Sequence, residues 1–208
     1  MAATVKQHMP KNEGTHQLFQ NPLIEKLSRT HIAVPTGLFL VISLGLLYHA
    51  KASMGLSAAL IATCFVAGWF IFTLAEYLVH RYFYHMEPDT PRKEKVQYTL
   101  HGVHHEYPKD KDRLAMPPLL SLTVSALLFG VFYLLMGQLA YAFLPGFLLG
   151  YSLYLFIHYA VHAFKPPKNM LKWLWIFHAI HHYKDDSVAF GVSSPLWDYV
   201  FGTIPKSR

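Results

Sequence analysis

Four apolar stretches, each about twenty residues long, govern what this chain can fold into: roughly Ile32–Ala50, Leu56–Val79, Pro118–Gly137 and Ala140–His162. At a rise of about 1.5 Å per residue, some 20 residues of helix cross a hydrocarbon core of ~30 Å. Inside lipid no water satisfies a stray backbone N–H or C=O, so such stretches form helices rather than open strands. Hydrophobic residues make up 53% of the 208 and charged residues 14%, which excludes an ordinary soluble enzyme. The expectation is an all-α integral membrane protein with four transmembrane helices.

The connections alternate in character. Residues 51–55 and 137–139 are short, whereas residues 80–117 and 163–208 are long and polar. Helices joined in this way make two hairpins, with the N-terminus and both long segments on one side. Of the eighteen Lys and Arg residues, only Lys51 falls on the other side. Basic residues beside spans mark the cytoplasmic face, so the long segments are expected there. Orientation thereby accounts for the formal charge of +6. No basic stretch interleaves with aromatics on a soluble surface, and no nucleic acid partner is expected. Residues 1–31 read as a mobile tail leading to an interfacial helix near Asn21–Arg29, without the apolar core of a secretory signal. Cys64, inside a span, reads as a small buried apolar residue.

Ten of the fourteen histidines fall into four clusters at the span ends and in the long segments. They are HRYFYH (His80, His85), HGVHH (His101, His104, His105), HYAVH (His158, His162) and HAIHH (His178, His181, His182). Imidazole is the commonest protein metal ligand, and a structural zinc site takes only four ligands. Ten are about enough for two ions that share a site. On a helix, residues three and four apart share a face, so each HxxHH triplet can aim its nitrogens one way. His80 and His85 are five apart, which implies that the helix bends or ends there. His8, His16, His31 and His49 lie apart from the clusters and read as incidental. Carboxylates are scarce near the clusters, which disfavours calcium or magnesium. Imidazole suits iron, zinc, copper and nickel alike. Glu76, one turn before His80, is expected either to orient a histidine N–H or to pair with Arg81. Asp185, Asp186 and Asp198 are further candidates to orient ring nitrogens, with a solvated surface as the alternative for the first two.

Four longer motifs carry a resemblance. They are EYLVHRYFYH (Glu76–His85), LHGVHHEYPKDKDRLAMPP (Leu100–Pro118), HYAVHAFKPP (His158–Pro167) and FHAIHHYKDDSVAFGVSSPLWDYVFGT (Phe177–Thr203). With these boxes the chain resembles the membrane fatty acid hydroxylase and sterol desaturase superfamily, over about residues 68–205. The D-x-x-R-L-x-M-P-P stretch and the F-G-V-S-S-P-L-W-D-x-V-F-G-T ending resemble the fatty acid 2-hydroxylases within it.

The resemblance implies four transmembrane helices under a helical cytosolic cap, with residues 32–208 as the hydroxylase domain. It implies a dinuclear centre held by His80, His85, His101, His104, His105, His158, His162, His178, His181 and His182, with no catalytic residue beyond these ligands. The working metal would be iron, with zinc able to occupy the same nitrogens in purified protein. The reaction would be O₂-dependent hydroxylation of a fatty acyl chain, free or in a ceramide, at the carbon next to the carbonyl. Many relatives carry an N-terminal cytochrome b5 domain, for which this chain leaves no room. Electrons are therefore expected from a separate donor, cytochrome b5 or a ferredoxin. The location would be the endoplasmic reticulum in a eukaryote or the inner membrane in a bacterium. An acyl channel between the spans would be lined by residues such as Phe70, Phe72, Phe129, Phe132, Tyr154 and Phe156. Tyr82, Tyr84, Tyr107 and Tyr183 are candidate hydrogen-bonding neighbours at the cytosolic face. Two rival readings remain at this stage: a sterol or carotenoid hydroxylase or desaturase of the same superfamily, and a membrane metal-binding or transport protein.

Overall fold

A computed structural model describes residues 9–206. The chain is all-α among the described residues. A short helix, α1 (Pro22–Leu27), opens at Asn21, whose side chain accepts from Leu23 N and Ile24 N, with Pro22 at the first helical position. Then come α2 (Ala33–Ala52) and α3 (Ala58–Leu78), the latter started by the Ser57 hydroxyl accepting from Leu60 N. The next long segment holds a π-helical turn at Val79–Tyr84, then α4 (Pro91–Gln97), a second π turn at Tyr98–Gly102, and α5 (Val103–Glu106). Two more long helices follow, α6 (Pro118–Met136) and α7 (Ala140–Ala163), and then α8 (Lys172–Tyr183) and α9 (Leu196–Phe201). The helices over the four apolar stretches agree with the sequence to within two residues at each end.

Among the described residues, three stretches are long and apolar enough to cross a membrane: Ala33–Ala52, Ala58–Tyr84 and Lys111–Ala163. The third contains α6 and α7, which double back through Gly137–Leu139. Gly137 adopts φ +57°, a backbone region that costs a side chain steric strain. The reversal brings the Phe129 ring to 4.9 Å from Tyr141 and Phe132 to 4.8 Å from Phe143.

The seam between α3 and α7 decides where the histidines go. A Cβ on Gly68 would lie 2.0 Å from Phe143 O, and one on Gly146 only 1.8 Å from Phe65 O. Backbone therefore meets backbone, the close approach that small residues permit between membrane helices. Further along, Phe72 wedges against Gly150 and lies 6.4 Å, ring to ring, from Tyr154. The two helices run side by side in the same direction, so His80 at the end of α3 and His158 and His162 at the end of α7 arrive together. α2 covers this pair from the other side, through Phe39 on Tyr151 and His49 on Tyr141.

The described part of the N-terminal tail departs from the expectation of mobility. Lys11 donates from its backbone to Glu106 O and forms an ion pair of 2.6 Å with the Glu106 carboxylate. Asn12 accepts from Tyr183 at 2.8 Å, and Thr15 bonds Asp110. Arg113, from the D-x-x-R-L motif, bonds Ser28 Oγ, His16 O and Glu25. Fixed charges on the cap thus hold residues 11–29 down. His8 and Lys6 lie outside the described residues.

Candidate metal centre

All ten clustered histidines converge at one end of the helices, and they separate into two groups of five. One is His80, His85, His101, His105 and His181; the other is His104, His158, His162, His178 and His182. Within each group one nitrogen per ring lies within 4.8 Å of all the others. The division cuts across the sequence clusters. Each HxxHH triplet gives its i, i+4 pair to one group and its remaining histidine to the other. His101 and His105 join the first group while His104 joins the second; His178 and His182 join the second while His181 joins the first. Sequence reasoning had each triplet aim one way. In fact neighbouring triplet members point into adjacent volumes, since the third and fourth residues along a helix diverge by about 100° around its axis. The groups abut where His105 stacks on His182, at 4.1 Å and 13°.

The spacing of five between His80 and His85 has its own explanation. Val79–Tyr84 is a π turn, closed by His85 N donating to His80 O at 3.2 Å. One wider turn restores a shared face to residues five apart, and such π segments recur at functional sites.

The donor chemistry fits metal ions. His80 Nδ1 donates to Phe190 O at 2.6 Å and His181 Nδ1 to Val188 O at 2.7 Å. A carbonyl only accepts, so the Nε2 of each ring carries a bare lone pair. Yet those Nε2 atoms face other nitrogens: His80 to His101 at 3.1 Å and His181 to His85 at 3.0 Å. In the second group, His158 meets His104 at 2.9 Å and His178 meets His162 at 2.7 Å. Two ligands at right angles, each about 2.1 Å from a common ion, stand about 3.0 Å apart. His182 is buried with neither nitrogen partnered, an arrangement that costs free energy unless a cation takes the lone pair. Among the described residues, no carboxylate belongs to either group. The all-nitrogen donor set suits a first-row transition metal.

Burial also keeps the rings neutral, the form that ligates. It pushes His85 and His181 down to about 3, with repulsion from neighbouring rings adding to the effect. Burial likewise lowers His101, His104, His105, His178 and His182.

The carboxylates named from sequence touch no ring nitrogen. Glu76 accepts from Val192 N and Ser193 N, each at 2.8 Å, and bonds the Ser193 hydroxyl. Arg81, its other expected partner, donates to Tyr77 OH at 2.7 Å. Asp198 accepts from Phe190 N and Gly191 N. Asp185 takes its bonds from Ser187 in an exposed turn. Of the four tyrosines, Tyr84 reaches the rings, stacking on His101 at 4.8 Å and 16°. His16, His31 and His49 lie outside both groups. Sequence reasoning missed the carbonyls of Val188 and Phe190, because a backbone acceptor leaves no signature in residue type.

An all-α chain with candidate membrane spans and a histidine-rich dimetal site at their ends defines a narrow class. The chain belongs to the fatty acid hydroxylase family, whose model matches residues 65–203. It is 35% identical to the ceramide very long chain fatty acid hydroxylase scs7 of Schizosaccharomyces pombe, over 94% of this chain and 58% of that protein. It is 34% identical to the dihydroceramide fatty acyl 2-hydroxylase FAH2 of Arabidopsis thaliana, over 91% and 80%. It is 33% identical to the human fatty acid 2-hydroxylase, over 92% and 57%. The chain thus spans little more than half the length of the fission yeast and human relatives. A solved structure described as full-length scs7p, with only the hydroxylase domain visible, superposes with a TM-score of 0.84 at 33% identity, covering 93% of this chain and 74% of that one. These relatives bear fatty acyl names, not the sterol or carotenoid ones of the rival reading.

Proposed function

We propose that this chain is a membrane monooxygenase that hydroxylates a fatty acyl chain, free or within a ceramide, at the carbon next to the carbonyl. The observation that carries the reading is the pairing of two five-nitrogen groups in a chain whose family relatives act on fatty acyl chains. His80, His85, His101, His105 and His181 would hold one ion, and His104, His158, His162, His178 and His182 the other. Iron in both places would supply the oxidation by O₂, with electrons from a donor such as cytochrome b5 or a ferredoxin. In this reading α2, α3, α6 and α7 cross the membrane as two hairpins, with the histidines on the cytoplasmic face. The setting is the endoplasmic reticulum of a eukaryote or the inner membrane of a bacterium. Residues 32–208 form the hydroxylase domain, behind a tail and interfacial helix at 1–31.

The chain's own part is to seat the acyl group and exclude water around it. The α3–α7 seam is closed by Gly68, Gly146 and the Phe72 wedge, so no acyl tail threads it. Phe70 and Phe156 face outward, 44% and 63% exposed, while Phe129 and Phe132 pack at the far end beside Tyr141 and Phe143. A cleft between the end of α7 and α8 reaches two of the rings. It measures about 390 Å³ and is lined by Val161, Phe164, Trp175 and Ile176 together with His162 and His178. That volume lies in the range of small-molecule sites. Lys109 and Lys165 flank it and suit a polar acyl end.

The test is a mass-spectrometric lipid profile of cells lacking 2-hydroxylated lipids, with and without this protein. Appearance of 2-hydroxyacyl lipids is expected. His104→Ala and His181→Ala should each insert normally and make none, a loss of at least ~100-fold. Turnover retained in both variants would sink the ligand assignment, and a hydroxylated sterol or carotenoid as sole product would sink the substrate assignment.

A further inference from the structure

The segment Val188–Ser193 contains no metal-binding side chain, yet two of its carbonyls meet imidazole N–H groups. Val188 O accepts from His181 Nδ1 and Phe190 O from His80 Nδ1. Both rings belong to the same five-histidine group. Buried carboxylates hold the segment from two sides. Glu76 on α3 accepts from the backbone N–H groups of Val192 and Ser193 and bonds the Ser193 hydroxyl. Asp198 on α9, fully buried, accepts from Phe190 N at 2.9 Å, Gly191 N at 2.8 Å and the Thr203 hydroxyl at 2.7 Å. Between the two working carbonyls, Ala189 sits at φ +57°, a strained conformation that persists only where the surroundings over-determine it. At Gly191 a Cβ would lie 2.1 Å from Ser194 O and 2.8 Å from Asp198 Oδ2, so glycine alone fits.

We propose that Glu76 and Asp198 are positioning residues for one ion site and not the other. By clasping Val188–Ser193 they fix the two carbonyls, and through them the tautomer and ring angle of His80 and His181. Among the described residues the second group has no matching support: Nδ1 of His104, His158, His178 and His182 is buried without a hydrogen-bond partner. The two sites are therefore inequivalent, with the clasped group holding its ion more firmly. This inference rests on the reading that the two groups bind ions. Partners of this kind beyond the ligands change metal affinity by about 10–100-fold.

The experiment loads the purified full chain with zinc and follows release into excess chelator, with zinc per chain measured at the start. Wild type should carry two ions and release them in two phases. His85→Ala, which lacks a ligand of the clasped group, should lose the slow phase, and His162→Ala the fast one. Glu76→Gln and Asp198→Asn should each speed the slow phase about 10–100-fold and leave the fast phase within about twofold. Should either variant fail to fold, Ser193→Ala, which removes one bond of the clasp, should speed the same phase in the same direction. Equal acceleration of both phases, or of neither, overturns the clasp. A single phase from wild type carrying two ions overturns the inequivalence. Fewer than two ions on wild type overturns the dimetal reading itself.

Discussion

A buried imidazole resists protonation, and this chain buries eight of them side by side and half-buries His85 and His105 among them. The sign of the resulting pH dependence follows directly. His85 and His181 are pushed down to about 3 in the folded chain, against an ordinary value of about 6.5. Below ~pH 6.5 the unfolded chain takes up protons that the folded chain refuses. Stability is thus fully present above that pH and drains away as pH falls toward the folded values. The melting temperature of the purified protein should hold above about pH 6.5 and fall steadily between pH 6.5 and 5, and bound zinc should leave over that lower range as protons displace it. A melting temperature that stays flat over that interval would contradict the neutral-ring assignment. Single residues also show what the sequence conveyed. That the ten clustered histidines would gather was legible, because their number and helical spacing exceed any packing need. Their partition into fives was not, since it depends on how α5 and α8 are rotated against one another.

Among the elements, the α3–α7 seam is the most sensitive to substitution. Gly146→Val would force a side chain into Phe65 O. Overpacking of this kind costs about 1–3 kcal/mol and would part the helix ends that bring His80 to His158. The variant should melt lower and bind less metal, whereas Gly130→Val, with nothing within 4 Å of its Cβ, should do neither. The N-terminal clamp is a second case. Burial by itself would raise the Glu25 carboxyl, but N–H donors from Phe19 and Leu18, with Arg29 and Arg113 nearby, hold it below the usual range. Arg113→Ala leaves Glu25 with Arg29 and should cost roughly 1–3 kcal/mol. It should expose residues 15–29 to protease at neutral pH while the helices remain protected. In the sequence, the conspicuous motifs around these elements carried a family resemblance and no structural role. In the fold, D-x-x-R-L fastens the tail to the cap, and F-G-V-S-S-P-L-W-D fastens Val188–Ser193 beside the rings.

At the scale of the whole molecule, each five-histidine group draws on both halves of the chain. The first takes four rings from residues 80–105 and one from α8; the second takes four from α7 and α8 and one from α5. An ion in either group therefore ties the two halves together. Binding that favours only the folded state adds about 4 kcal/mol when free metal stands a thousandfold above its dissociation constant. Chelation should accordingly lower the melting temperature by several degrees and unfold the cap before the long helices, as amide hydrogen exchange on α5 and α8 would show. Equal loss of protection along α2, α3, α6 and α7 would argue against metals as the link between the halves.

What the sequence by itself determined was whatever periodicity and residue chemistry can encode. Runs of apolar residues set the long helices, short connections set the hairpins, and clustered imidazoles set a nitrogen-only site on one side. What only the tertiary structure decided was which nitrogen faces which. That choice turns on the close backbone approach at Gly68 and Gly146, the π turn at His80–His85 and two carboxylates holding a backbone segment. The π turn is local, but the seam and the carboxylate contacts depend on atoms far apart in the chain meeting with ångström precision, which residue order alone does not carry.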